Sequence, residues 1–286
     1  ALAIDEAIYG PHHPNVATDV NNLGGVLKAL GDLGGAREAY ERALAIDEAV
    51  YGPHHPDVAT LHNNLGSVLR ALGDLGGARE AFERALAIFE RVLGPEHPNV
   101  ATLHNNLGSV LKALGDLGGA REAYERALAI DEAVYGPHHP EVATDVNNLG
   151  SVLQDLGDLG GAREAYERAL AIDEAVYGPH HPNVARDVNN LGGVLHALGD
   201  LGGAREAFER ALAIRESVYG RQHPDTARTL WWLGFLAGEQ GDPRGARAFL
   251  EEALAILETS QLPPDHPNIR TVRHNLRALE AAREGE

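Results

Sequence analysis

The sequence predicts an all-α chain built as a line of stacked helix pairs. Two observations carry this: a self-similarity of 42 residues, and an apolar period of three to four residues within each half of the repeat. The string GDLGGAREA starts at Gly31, Gly73, Gly115, Gly157 and Gly199, and a worn copy, GDPRGARAF, starts in phase at Gly241. A second string, HP preceded by His, Glu or Gln, puts its proline at Pro14, Pro56, Pro98, Pro140, Pro182 and Pro224; the next, Pro267, comes one residue late. Self-similarity at a fixed period marks an architecture that grows by adding units to a line and has no single closed core. No segment alternates with the period of a strand.

Each unit holds two amphipathic segments. In the first, NVATDVNNLGGVLKAL (15–30), Val16, Val20, Leu23, Leu27 and Leu30 recur at helical spacing. In the second, AREAYERALAIDEAVY (36–51), Ala36, Ala39, Tyr40, Ala43, Leu44 and Val50 share one stripe, and Arg37, Glu38, Glu41, Arg42, Asp47 and Glu48 lie off it as a solvated face. Between the two, Gly31 stands where a helix stop belongs and Asp32 can cap the next helix. The GPHHP loop ends the second helix and restarts the first, with proline near the helix start. Gly24, Gly66, Gly108, Gly150 and Gly192 fall inside the first helix, where glycine costs about 1 kcal/mol relative to alanine. A recurring cost needs a recurring reason, and close approach of the paired helix supplies one.

The expected organisation is one solenoid over 1–286: a partial helix at 1–9, pairs at about 15–51, 57–93, 99–135, 141–177, 183–219 and 225–260, and a polar capping helix at about 268–282. The opening ALAIDEAIYG matches the second half of a repeat, so the sequence reads as a piece of a longer protein. Formal net charge is −18, which argues against a nucleic-acid or anionic-membrane surface. No apolar run is long enough to span a membrane, and no secretory signal opens the chain. With no cysteine there is no disulfide framework and no thiolate metal site or nucleophile; a reducing, cytoplasmic setting fits.

These repeats resemble the tetratricopeptide repeat in its longer, 42-residue form, with Leu23-Gly24, Leu27, Ala36, Tyr40 and Ala43 matching the family pattern. They resemble the cargo-binding repeats of kinesin light chains, and similar bacterial arrays are appended to signalling NTPases. The family's large aromatic early in the first helix is missing; Val20, His62, His104, Val146, Val188 and Leu230 stand there. The resemblance implies a right-handed superhelix whose first helices line a concave groove for an extended peptide of a protein partner. It also implies that the asparagine before Leu-Gly contacts the peptide: Asn22, Asn64, Asn106, Asn148 and Asn190. Each follows a second asparagine, Asn21, Asn63, Asn105, Asn147 and Asn189.

An amide offers donor and acceptor to a peptide backbone, and these asparagines lie away from the apolar stripe. The other reading is duplication of a structural pair bonding a neighbouring helix. Lys28, Arg70 and Lys112 flank the lane and favour an acidic or polar peptide, with Arg186 and Arg228 in the threonine lane of Thr18, Thr60, Thr102 and Thr144. Trp231-Trp232 replaces the asparagine pair in the sixth unit, as an anchor or as packing against the last helix. The His-His-Pro pairs lack the HExxH spacing of a helical zinc site, so no metal is expected. His62 and His104 fall on the buried stripe and are expected to be satisfied there. No nucleophile elbow, phosphate loop or catalytic carboxylate pair stands out, so neither cofactor nor catalysis is expected. The leading expectation is a peptide-binding scaffold. The rivals are a structural module that self-associates weakly end to end through apolar Leu2, Ile4 and Ile8, and the ligand-sensing region of a signalling NTPase.

Overall fold

The computed structural model describes residues 1–260, 262–263 and 265–284, with side chains to 281. Gly285 and Glu286, at the end of the expected cap, lie outside the described residues. The described residues form α-helices and no strand, in two compact units that meet between Pro137 and His138. The first unit holds α1 (Leu2–Tyr9), α2 (Pro14–Ala29), α3 (Leu33–Tyr51), α4 (Pro56–Leu72), α5 (Leu75–Leu93), α6 (Pro98–Ala113) and α7 (Leu117–Tyr135). The second holds α8 (Pro140–Asp155), α9 (Leu159–Tyr177), α10 (Pro182–Ala197), α11 (Leu201–Tyr219), α12 (Pro224–Glu239), α13 (Pro243–Thr259) and α14 (Pro267–Glu284). Within each unit the helices pair in chain order as helix A and helix B: α2 with α3, α4 with α5, α6 with α7, then α8 with α9, α10 with α11, α12 with α13.

The punctuation acts as read. Gly31 takes φ 82°, a left-handed conformation that only glycine adopts cheaply, and the Asp32 side chain accepts from Gly35 N–H at 2.9 Å to cap α3. The HP loop holds a cap of its own. The histidine before each proline is the N-cap: His13 Nδ1 accepts from Asn15 N–H, and His55, His97, His139, His181 and His223 do the same two residues on. Proline occupies the first helical turn, where no donor is missed. The cap ring stacks on the last tyrosine of the preceding helix, Tyr9 on His13 at 4.6 Å and Tyr51 on His55 at 4.4 Å.

Each pair is held by the helix-A glycine. A Cβ on Gly24 would stand 2.8 Å from the Tyr40 ring; on Gly66, 2.8 Å from Phe82; on Gly108, 2.9 Å from Tyr124; on Gly192, 2.8 Å from Phe208. Helix B therefore lays an aromatic ring flat on helix A's backbone, and alanines at Ala36, Ala39 and Ala43 complete the contact. Burial pushes the Tyr124 hydroxyl up to about 12.

Three expectations about the stripes need correction. Leu23 of α2 is exposed where Leu65 of α4 is buried, and Val26 where Val68 is buried, because α2 has only the eight-residue α1 ahead of it; Leu30 is exposed at the helix end, as Leu72, Leu114, Leu156 and Leu198 are in later repeats. Val50 is exposed because helix B, at nineteen residues, outruns the sixteen- and seventeen-residue helices beside it. The i,i+4 spacing offers Arg37–Glu41 and Glu38–Arg42 as pairs on the solvated face; Arg37 takes Glu41 at 2.7 Å, but Arg42 bonds Glu6 of α1 instead, and Arg210 likewise reaches Glu174. The interlock gives a sign that helix propensity alone gets wrong. Gly108→Ala should lower stability by about 1–3 kcal/mol through overpacking, although alanine is the better helix former. Chemical denaturation measures it, and adding Tyr124→Ala should make the alanine less costly.

Candidate functional site

The outward lane of the A helices carries the asparagine pairs, and the structure joins them to one another. Asn64 Nδ2 donates to Asn21 Oδ1 at 3.0 Å, and Asn106 Nδ2 to Asn63 Oδ1 at 2.9 Å; in the second unit Asn190 Nδ2 donates to Asn147 Oδ1 at 2.9 Å. In these three cases the second asparagine of a pair reaches back to the first asparagine of the preceding helix A within the same unit. Asn22 is exposed, Asn64, Asn106, Asn148 and Asn190 are half-buried, and Asn147 and Asn189 are buried at 7% and 4% exposure. The expectation that both asparagines stand clear of the packing is overturned for Asn147 and Asn189: the first of each pair turns toward the next repeat. Asn63 and Asn105 are half-buried at the same register.

The cations divide. Lys28 and Arg70 are exposed, with Arg70 donating to Ser109 Oγ, and Lys112 is half-buried. Arg186 is drawn inward, its Nε donating to Asp187 Oδ1 at 2.9 Å and its Nη2 to Asp173 Oδ2 at 3.2 Å. Arg228 stays exposed beside Trp231, Trp232, Asn268 and Thr271 around a cavity of about 210 Å³. Trp232 stacks on Phe208 at 5.1 Å, and Trp231 packs against the cluster that includes Leu257, Ile269 and Val272, so the tryptophan pair is half-buried packing at the join to α14.

Beneath the lane lies a set of buried charges that periodicity does not flag. Asp47, placed on the solvated face from sequence, is only 7% exposed; Asp173 and Asp187 are fully buried and Arg215 nearly so. These sit where helix B of one pair meets helix A of the next. Arg215 donates through Nη1 to Asn189 Oδ1 at 3.1 Å and Asp225 O at 3.0 Å, and also to Thr229 Oγ1. Burial lowers Arg215 to about 10, with Arg228 adding to the effect. The signal was present: Phe89 and Leu257 occupy the same register as Asp47, Asp173 and Arg215, and a place that takes Phe and Leu is an interior one.

The buried histidines differ from each other. His62 Nε2 lies 3.8 Å from Glu48 Oε1 and His104 Nε2 lies 4.0 Å from Glu90 Oε1, with His104 Nε2 buried and without a hydrogen bond, so the expectation of two satisfied rings holds for neither in full. Burial, aided by Arg84, lowers His62 to about 4, and burial with Arg126 lowers His104. Among the described residues no group of three His, Asp or Glu is placed to hold a metal ion. No described helix is long and apolar enough to cross a membrane.

Asp173 Oδ1 and Asp187 Oδ2 have no hydrogen-bond partner, so this pair carries one guanidinium for two carboxyls. Burial raises Asp187, Arg186 opposes the rise, and Asp173 reinforces it. The folded state therefore keeps a proton that the unfolded chain releases in the ordinary carboxylate range. Its stabilising contribution is complete at acid pH and is lost as pH rises through the raised folded value. Asp187→Asn should raise the thermal midpoint at pH 8 by roughly 2–4 °C, about 1 kcal/mol, and less at pH 4. Melts at the two pH values check this; an equal shift at both would mean an ordinary carboxylate.

The comparisons with known proteins fit this anatomy. The "Tetratricopeptide repeat" pattern matches residues 1–49, 16–87, 57–133, 100–175, 143–217 and 187–259. Among solved structures, BtubC (BKLC) from P. vanneervenii is 25% identical, with TM-score 0.64 over 82% of this chain and 93% of that one. A Podosopora anserina putative kinesin light chain with nearly identical TPR-like repeats is 25% identical, with TM-score 0.63 over 72% and 98%. The pilus biogenesis factor PilW, at 20% identity and TM-score 0.64 over 90% and 98%, shares the fold alone. No curated protein matches the chain. With the repeat pattern running through the chain and an all-α solenoid of helix pairs beneath it, the chain belongs to the tetratricopeptide repeat family, whose arrays serve as scaffolds for protein–protein interaction.

Proposed function

We propose that the lane of the A helices binds an extended, polar or acidic peptide segment of a protein partner. The observation that carries this reading is the amide ladder in the first unit. Asn64 and Asn106 are each oriented by a bond to the preceding repeat, which uses one N–H and leaves an N–H and the carbonyl oxygen to meet a peptide. An amide already held in place loses little freedom on binding, so more of each new bond appears as affinity. Asn22 begins the same row. Asn148 and Asn190 form the corresponding lane of the second unit.

Lys28, Arg70 and Lys112 sit toward the C-terminal ends of helices A and favour acidic side chains, through steering and specificity more than affinity. Arg228 and the neighbouring tryptophans give the second unit a cationic, aromatic counterpart. Arg186 has donors left after its two carboxylates, but its contribution to a peptide is the smaller for them.

The test is a peptide-library screen followed by the triple variant Asn22→Ala, Asn64→Ala, Asn106→Ala. Each hydrogen bond lost should cost about 0.5–1.5 kcal/mol, so selected peptides should bind at least about tenfold more weakly. Circular dichroism, well below the melting range, controls for folding. Unchanged affinity in the folded triple variant would leave the ladder as a structural tie between repeats and no more.

A second reading, weak self-association, is favoured by the apolar surface that α1 and α2 expose at Ile4, Ile8, Val26 and Leu30. Sedimentation velocity across a wide concentration range should then show a mass that rises with concentration, and Ile8→Glu with Val26→Glu should abolish the rise. A constant monomer mass would end this reading.

A further inference from the structure

The first unit contains a cavity of about 210 Å³ between α2, α3 and α4, and Asp47 forms part of its wall. By that measure a single water needs only ~10–15 Å³, so the space admits a group of several heavy atoms. Asp47 is more than nine-tenths buried, and among the described residues no group hydrogen-bonds to its carboxylate. Around it stand Thr18, Asn21, Tyr51, Asp57 and Thr60. Thr18 and Thr60 spend their hydroxyl protons on the carbonyls of Pro14 and Pro56, both at 3.2 Å. Asn21 Oδ1 already accepts from Asn64 Nδ2, so the donors left in the lining are the Asn21 amide N–H groups and the Tyr51 hydroxyl. The lining therefore offers oxygen lone pairs and a carboxylate, and few donors. Burial and the neighbouring Asp57 push the Asp47 carboxyl up, with His55 opposing, as befits an anion short of a partner.

The chain itself shows twice what fits such a place. Three repeats on, Asp173 stands in register with Asp47 and Arg186 in register with Thr60, and the Arg186 guanidinium donates to Asp173. Four repeats on, Arg215 stands in register with Asp47. Its guanidinium donates to Asn189, in register with Asn21, to the carbonyl of Asp225, in register with Asp57, and to Thr229, in register with Leu61. The α9–α10 and α11–α12 junctions, where the register position is charged, are thus each filled by a guanidinium from the chain, one brought by helix A and one by helix B. At the α2–α3–α4 junction Thr60 is too short to do so. A planar cation with five donors and no acceptor matches the lining better than an ammonium, and no three ligands converge for a metal.

We propose that the cavity over Asp47 is a binding site for the guanidinium of an arginine carried by the protein partner. This deepens the groove reading and rests on it for the partner, because Thr18, Asn21 and Thr60 belong to the same lane. It adds an anionic subsite near the N-terminal ends of helices A. Thr18 and Lys28, ten residues apart, place it about 15 Å along the helix from the cationic end, so a segment crossing the lane would carry an arginine on one side and acidic residues on the other.

The probe is the tripeptide Ac-Ala-Arg-Ala-NH2, titrated into the full chain and followed by the side-chain amide resonances of Asn21 and Asn64, with citrulline and lysine peptides beside it. Saturable shifts are expected, with citrulline, the neutral near-isostere, at least about tenfold weaker and lysine weaker than arginine. Asp47→Asn should weaken arginine binding at least about tenfold. Thr60→Arg should abolish it and raise the thermal midpoint, by supplying in the chain the guanidinium that Arg186 supplies to Asp173. The inference is overturned if no saturable shift appears, if citrulline binds as well as arginine, or if folded Asp47→Asn and Thr60→Arg retain the parent affinity. The Asn22/Asn64/Asn106 triple variant separates the two readings. Arginine binding that survives it, with library peptides lost, upholds both. Arginine-containing library peptides that bind Asp47→Asn as they bind the parent uphold the groove and overturn the pocket.

Discussion

In the five pairs α2–α3 to α10–α11 an aromatic ring of helix B rests on a helix-A glycine closely enough that a methyl group could not be inserted between them; at Gly234 the side chain of Leu250 takes the ring's place. That contact fixes how near the two helices stand, and so fixes the direction in which helix A presents its other faces. The glycines weaken helix A by about 1 kcal/mol each, as isolated propensities go. The loss is offset by burying a Tyr or Phe side chain, which in general contributes about 1.5–3 kcal/mol. Alanines around the ring keep the rest of the interface thin. With so few aromatic residues in the chain, placing nearly one per pair on a glycine is what lets small side chains build an interior.

The junction between pairs follows a different rule. Where helix B meets the next helix A, the same position of helix B carries Asp47, Phe89, Asp173, Arg215 or Leu257, while the pair itself hardly changes. Burying a charge there costs free energy unless a partner is supplied, and breaking such a pair costs more than never having made it. The second unit supplies Arg186 to two carboxyls and surrounds Arg215 with three oxygens. A solenoid can tolerate such variety because each repeat touches only its neighbours, so a change at one junction need not propagate. Chemical individuality is thereby confined to the places that open onto the lane.

Much of the fold was legible in the sequence because its signals are local. Gly31 must take a left-handed conformation, Asp32 must cap, and Gly24 must admit a neighbour; each follows from one residue and its place in the repeat. The histidine cap was half legible. Proline at the helix start was evident, but that His13 serves as both N-cap and stacking partner of Tyr9 depends on the path of the loop. The candidate site was less legible, for two physical reasons. The asparagine amides bond across a full repeat, Asn64 to Asn21, and no helical wheel relates residues on different helices. The charged residues at the junction look solvated on a wheel because the wheel knows only the helix's own partner; Asp47 is covered by α2 and α4 together. Comparing repeats in register would have exposed it, since a place held by Phe89 and Leu257 is not a surface place.

The charge of the chain acquires a structural sense from this. A formal charge of −18 spread along the chain is weakly felt at any one exposed point, because water and salt screen it. A single carboxylate held in a low-dielectric junction is felt strongly, and only by a group that can enter the junction. The lane's lysines and arginines can draw a partner's acidic residues in from a distance, but they discriminate little among acidic segments. A buried acid lined by acceptors discriminates sharply, since a partner without a multi-donor cation would leave it unpaired after losing its water. On the reading proposed above, steering and selection fall to opposite charges at opposite ends of the same helices. The repeat makes this division possible, because duplication delivers the same lane many times while one substitution, threonine for arginine at position 60 relative to 186, decides whether a given junction is closed from within or open to a guest.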